Sequence, residues 1–286
     1  MTRARLPLGV ILAAFLLTAC AHDGRPVANT APDAPIPTYE TIRAANDERT
    51  ALLDRFWTRT VARIDFVDED GKERSEQLEG HLQFAAPRGL LVTFHKLGEL
   101  YFVVGSNDDL FWWIQLGSDK RATVGRYDST NPQEGERFGL LVHPLDLITL
   151  LAIRPMPEAP LDQPRWSDEH QAIEVDLPAI SGTRRMYFDP ETLEPTRVEL
   201  LDDAGELTAE STLTRYTDVT VDRPVEGPTP RIAQRFWITS PSSDLSIKVD
   251  IYAAVTNDER PRPRDLDFEH LIRAYRVDEV EWLEGG

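Results

Sequence analysis

Side chains able to do chemistry are few in this sequence and poorly grouped. The six histidines are His22, His81, His95, His143, His170 and His270. None belongs to an H-E-x-x-H pair or a close cluster, so the spacing that brings two imidazoles to one metal ion is missing. No G-x-S-x-G turn presents a serine nucleophile, and no P-loop cradles a phosphate. The acidic runs Asp68-Glu69-Asp70 and Asp202-Asp203 lie beside turns and read as solvated turn side chains. With 49 acidic residues, accidental carboxylate pairs are many, and no two stand out as the acid and base of a hydrolase. His81 and His95 fall on neighbouring strands, opposite the apolar positions, as solvated sheet histidines do. The expectation is a protein that is not an enzyme and uses no metal or cofactor. A hydrolase with an unrecognised acid pair is the remote alternative.

The one residue with a clear chemical fate is Cys20. Two arginines, Arg3 and Arg5, precede an apolar run of twelve residues at 6–17, followed by Leu17-Thr18-Ala19-Cys20. A basic start, a short apolar segment and small residues before a cut site make a signal peptide at 1–19. A spanning helix needs about 20 apolar residues, so the run is too short for one. Leu17-Thr18-Ala19-Cys20 matches a bacterial lipobox, whose cysteine becomes the lipidated first residue. Cys20 is the chain's single cysteine, so no internal disulfide can form. Several acyl chains on one residue anchor a protein stably. By analogy with proteobacterial sorting, Ala21 at the next position reads as an outer-membrane address, facing the periplasm. Residues 21–37, AHDGRPVANTAPDAPIP, show no hydrophobic period and read as a disordered tether. Fully extended, that tether reaches roughly 50 Å at about 3.1 Å per residue.

The formal net charge is −18, and removing residues 1–19 with Arg3 and Arg5 takes it to about −20. Such a surface repels nucleic acid and anionic membranes, so nucleic-acid binding is set aside.

The rest, 38–286, reads as one domain of strands with a few helices. Residues 38–55 show a helical stripe through Tyr39, Ile42, Ala45, Leu52 and Leu53. In 56–66 the even positions are mostly apolar, and Asp70-Gly71 signals a hairpin. Residues 78–127 are apolar runs separated by short polar turns, the pattern of an antiparallel meander. After a polar loop at 128–137, residues 138–153 are the most apolar stretch beyond the signal, and Pro144 suits the first turn of a helix at 144–152. More hairpins follow; Leu245, Ile247, Val249 and Ile251 keep a clean period of two. A short helical pattern through Phe268, Leu271, Ile272 and Tyr275 precedes a final segment with Val280 and Trp282. About eleven strands and two or three helices result. Short links make the sheet antiparallel, and a sheet that large must curl and be covered. The expected fold is mainly β (α+β): one strongly curved antiparallel sheet, an incomplete barrel, covered by the helices at 38–55 and 144–152.

Several stretches resemble the LolA/LolB-like family of periplasmic lipoprotein carriers and receptors. They are residues 78–87, ending in Pro87; Val103-Val104-Gly105-Ser106-Asn107-Asp108-Asp109-Leu110-Phe111-Trp112; Tyr187-Phe188-Asp189-Pro190 through Pro195 to Gly205, with Tyr216; and Pro230-Arg231-Ile232 through Pro241 to Ile247. Together they span most of 40–255. The resemblance implies an incomplete barrel whose apolar concave face takes up acyl chains of lipoproteins. With a lipid on Cys20, the chain is more similar to the anchored receptor than to the soluble carrier. It departs from the carrier at Ala86, where the carrier has an arginine before the strand-ending proline; Arg88 follows Pro87 here. No loop stands out as the receptor's membrane-inserting tip, and Leu110-Phe111 is the nearest candidate.

The candidate cavity lining is Trp57, Leu82, Phe84, Val92, Phe94, Trp112, Ile114, Leu147, Leu150 and Leu151. For each the alternative is plain core packing. The stretch 110–116 is apolar on both faces, so both must be covered, by a helix, a lipid or a partner. Trp112 and Trp113 point to opposite faces, because a strand has a period of two. The leading expectation is a lipid-anchored envelope protein that binds acyl chains of lipoproteins or another lipid. The alternative is a scaffold lipoprotein, its interior filled by its own side chains, that binds a protein partner.

Overall fold

The computed structural model describes residues 35–283, except 68–69, 118, 128–143, 180–181, 223–226, 242 and 257–258. The signal peptide, Cys20, most of the tether and the polar loop at 128–137 lie outside the described residues.

In chain order the elements are α1 (Tyr39–Thr50), β1 (Arg55–Val67), β2 (Glu73–Ala85), β3 (Gly89–Lys96), β4 (Glu99–Ser106), β5 (Leu110–Leu116), β6 (Lys120–Arg126), α2 (Pro144–Leu150), β7 (Arg165–Ser167), β8 (Ala172–Pro178), β9 (Thr183–Phe188), β10 (Pro195–Leu201), β11 (Leu207–Asp218), β12 (Thr220–Val221), β13 (Arg231–Ser240), β14 (Ser243–Thr256), α3 (Phe268–Tyr275) and β15 (Glu279–Trp282). The strands form one curved, open sheet in the order β15-β6-β5-β4-β3-β2-β1-β14-β13-β11-β10-β9-β8-β7, with β12 beside β14. Pairing is antiparallel except for β15 on β6 and β12 on β14. The expected fold class holds. There are more strands than expected because β7, β12 and β15, of two to four residues, are too short to show a period.

The sequence places α1 at 38–55, but the helix stops at Thr50. Leu52 adopts the left-handed conformation (φ 67°), and the chain turns directly into β1. In β1 the even residues Phe56, Thr58, Thr60 and Ala62 are buried, as the alternation requires. They share the sheet's inner face with Leu82 and Phe84 of β2.

Two apolar layers sit on opposite sides of the sheet. The larger lies inside the curve and joins α1 and α2 to β1–β5, β8–β11, β13 and β14 through Ile42, Phe56, Phe111, Ile148, Phe188 and Phe236. The smaller lies outside β3–β6, where Leu91, Val103, Trp112, Ile114 and Val124 are covered by Phe268 and Leu271 of α3. The Asp267 side chain accepts from the His270 backbone N–H to cap α3, and Arg276 ends it in the left-handed conformation. The Lys120 ammonium donates to the Tyr275 carbonyl (3.0 Å), and β15 then lies along β6.

Candidate functional site: an apolar cavity under the second helix

The inner face of β1–β5, β13 and β14, together with α2, encloses a cavity of about 250 Å³. Leu82, Val92, Val104 and Trp113 form its wall on one side, Phe236, Ile238 and Val249 its wall on the other, and Leu147 and Leu151 border it from α2. Among the described residues of the lining, Thr60, Tyr101, Trp113 and Gln115 carry polar atoms, and none is Asp, Glu, Lys, Arg or His. Ile64, Leu245 and Ile247 are half-buried and Tyr101 is 43% exposed, so the cavity meets solvent at this end of the strands.

Two buried hydrogen bonds fix α2. The Ser211 hydroxyl donates to the Leu150 carbonyl (2.6 Å). The Arg49 guanidinium of α1 donates to the Ala152 carbonyl (2.5 Å), while its partner Asn46 donates to the Arg154 carbonyl (3.2 Å). The helix end therefore hangs from α1 on one side and from β11 on the other. Asp146, in its first turn, is pushed up to about 6 by burial.

Five of the candidate residues line this cavity: Leu82, Val92, Phe94, Leu147 and Leu151. The other five lie elsewhere. Trp112 and Ile114 project through the opposite face of β5 and belong to the layer under α3, with Trp112 5.7 Å from the Phe268 ring. The period of two makes Trp113, not Trp112, the tryptophan that faces the interior. Trp57 is on the outer face of β1, stacked on His81 at 5.1 Å. Phe84 is on the inner face but packs against Phe56 (5.9 Å), away from the cavity. Leu150 is fully buried on the side of α2 that meets the main core.

His81 and His95 share the outer face with Trp57, their rings 6.3 Å apart. Burial, then His95, Arg59 and Arg260, hold the His81 imidazole below its ordinary value. Leu110-Phe111 forms no exposed tip, since Phe111 is buried at the start of β5. Among the described residues, Leu97 in the β3–β4 turn is the most exposed large hydrophobic, at 99%. The readable signal was a leucine in a tight turn, Lys96-Leu97-Gly98-Glu99, flanked by charge on both sides. The Lys96–Glu76 ion pair (2.8 Å) joins this turn to β2.

Comparison with known proteins gives the fold a context. No protein-family model matches the chain, and no curated protein does. Solved structures do. A LolA superfamily protein from Nitrosomonas europaea is similar at 13% identity, covering 78% of this chain and 94% of its own, with a TM-score of 0.50. A DUF1329 family protein from Desulfovibrio piger is similar at 12% identity, over 80% and 98%, with a TM-score of 0.50. A domain named for outer membrane lipoprotein sorting from Vibrio parahaemolyticus is similar at 13% identity, over 82% and 96%, with a TM-score of 0.51. The class is thus a LolA-like open β-barrel. At these identities the likeness is one of fold, and function must be argued from the cavity.

Proposed function

We propose that this chain is a non-enzymatic, lipid-anchored protein of the bacterial envelope, held at the outer membrane by a lipid on Cys20, that takes an acyl chain of a lipoprotein or another lipid into its cavity. The observation that carries this reading is the lining: an apolar space under α2, open at one end, whose described residues include no carboxylate, amine or imidazole. A hydrocarbon chain asks for nothing else, and each buried methylene contributes about 0.8 kcal/mol. Leu97, standing out from the strand ends nearest the mouth, is the apolar contact with the membrane surface in this reading.

A displacement titration with a fluorescent fatty acid tests the cavity. Saturable binding that falls when Val92→Trp fills the space is the expected result, and a flat titration defeats the proposal. Cys20→Ala should move the protein from the membrane to the soluble fraction; if the variant still sediments with membranes, the anchor is wrong. The second reading, a scaffold lipoprotein that binds a protein partner, is favoured by the hydrogen bonds that fix α2. A flat titration alongside stable capture of an envelope protein would favour it.

A further inference from the structure

A buried arginine ordinarily has acceptors. Arg49 follows this rule: 7% exposed, it donates to the Asn46 side chain (2.7 Å) and to the carbonyls of Ala152 and Arg231, and it lies 5.5 Å over the Tyr216 ring. Arg185 also follows it, pairing on the outer face with Glu174 (2.9 Å) and Asp176 (2.7 Å).

Arg184, the residue before it, does not. It is on the inner face of β9 with Met186 and Phe188, level with Leu177 of β8 and Leu200 of β10. It is 8% exposed, and its Nε is buried without a partner. Its guanidinium forms no hydrogen bond or ion pair with any described residue. Two groups act on its charge: Arg154, which opposes it, and the Tyr39 phenol. The Tyr39 hydroxyl is already committed to the Pro157 carbonyl (2.6 Å). Arg154, on the segment leaving α2, is tied down by its backbone carbonyl, while Arg88 opposes its guanidinium. Burial and this like charge push Arg184 down to about 10, still protonated at neutral pH. Arg184 is thus buried and Arg154 half-buried beside it, each with a guanidinium charge that no carboxylate among the described residues pairs with. An unmatched buried charge is among the most destabilising features a fold can keep.

We infer that Arg184 and Arg154 form an anion-binding site beside α1 that takes a carboxylate or phosphate group. The guanidinium fork matches either group in a bidentate fashion. Neither arginine lines the apolar cavity, so this site stands or falls apart from the acyl-chain reading.

Thermal unfolding of the full chain tests the inference. Inorganic phosphate, glycerol 3-phosphate and butyrate are each added against chloride at equal ionic strength. At least one should raise Tm in a saturable way, as a ligand of the folded state must. A response to the two phosphates alone assigns the site to a phosphate group, and a response to butyrate alone to a carboxylate. Arg184→Met should abolish the shift and raise Tm in anion-free buffer, because it removes the unmatched charge. If Arg184→Met does not fold, Arg154→Gln should raise the half-saturating anion concentration on the order of tenfold. The inference is overturned if no anion shifts the wild type, or if the variant that folds responds like the wild type.

Discussion

Trp112 and Trp113, adjacent in β5, put their rings on opposite sides of the sheet. Trp113 walls the apolar cavity, and Trp112 is fully buried beneath Phe268 of α3. Gly105 on β4 makes room for the outer ring, since a Cβ there would stand 2.4 Å from Trp112. One residue serves the interior and its neighbour serves the attachment of the C-terminal helix.

The two should therefore separate in experiment. Trp113→Ala should weaken binding of a fluorescent fatty acid several-fold while the protein stays folded. Trp112→Ala should cost about 3–5 kcal/mol in denaturant unfolding, as large-to-small changes in a core do, and leave the affinity of the folded fraction close to wild type. Equal loss of affinity in both would contradict the division of roles.

The Ser211 hydroxyl and the Leu150 carbonyl form a buried tie on α2. Ser211→Ala leaves that carbonyl buried without its donor, at a cost of about 1–3 kcal/mol. The expected result is lower stability and faster amide exchange in residues 144–151 than in β11. Uniformly raised exchange across the domain would mean that the tie holds the whole fold and not the helix.

Asp146 sets a pH dependence. Its folded value is about 6 against 3.8 for the free side chain. The folded chain keeps a proton that the unfolded chain gives up, so this contribution to stability is present below pH 4 and lost as pH rises through 6. His81 acts in the other direction: held below 6.5, it costs stability as pH falls beneath that value. Asp146→Asn should stabilise the protein at pH 7.5 by about 1–3 kcal/mol, and flatten its dependence between pH 4 and 6. No change at pH 7.5 would show that the carboxylate is well solvated.

Leu97 offers a test at the surface. Leu97→Ser should leave unfolding unchanged, because the side chain is 99% exposed, and should reduce partition of the protein onto neutral phosphatidylcholine vesicles. Partition equal to wild type would remove Leu97 from any membrane role.

Much of the sheet was legible because its strands alternate. β1 and β14 show their inner sides in Thr58, Thr60 and Ala62 and in Ile247, Val249 and Ile251. Pro144 marked the start of α2 correctly. The cavity lining was read only in part, for a physical reason. β5 is apolar at every position from Leu110 to Ile114, so the alternation that separates inside from outside is absent there. Only the position of α3, packed on the outer face by the chain after β14, decides that Trp112 and Ile114 face it. Arg184 was within reach of pattern reading: in Thr183-Arg184-Arg185-Met186-Tyr187-Phe188 an arginine occupies the phase of Met186 and Phe188. An alternation cannot say whether such an arginine finds a partner, which depends on segments far away in sequence.

The two ends of the sheet have a consequence of another kind. An open barrel leaves two rims of unpaired backbone, on which a passing strand from another molecule can add. Here the rims are β7, three residues long, and β15, four residues long and carrying Glu279 and Glu281. Neither offers enough ladder to seed growth. Copies of the chain crowded side by side are thereby kept from zipping into fibrils along these short rims.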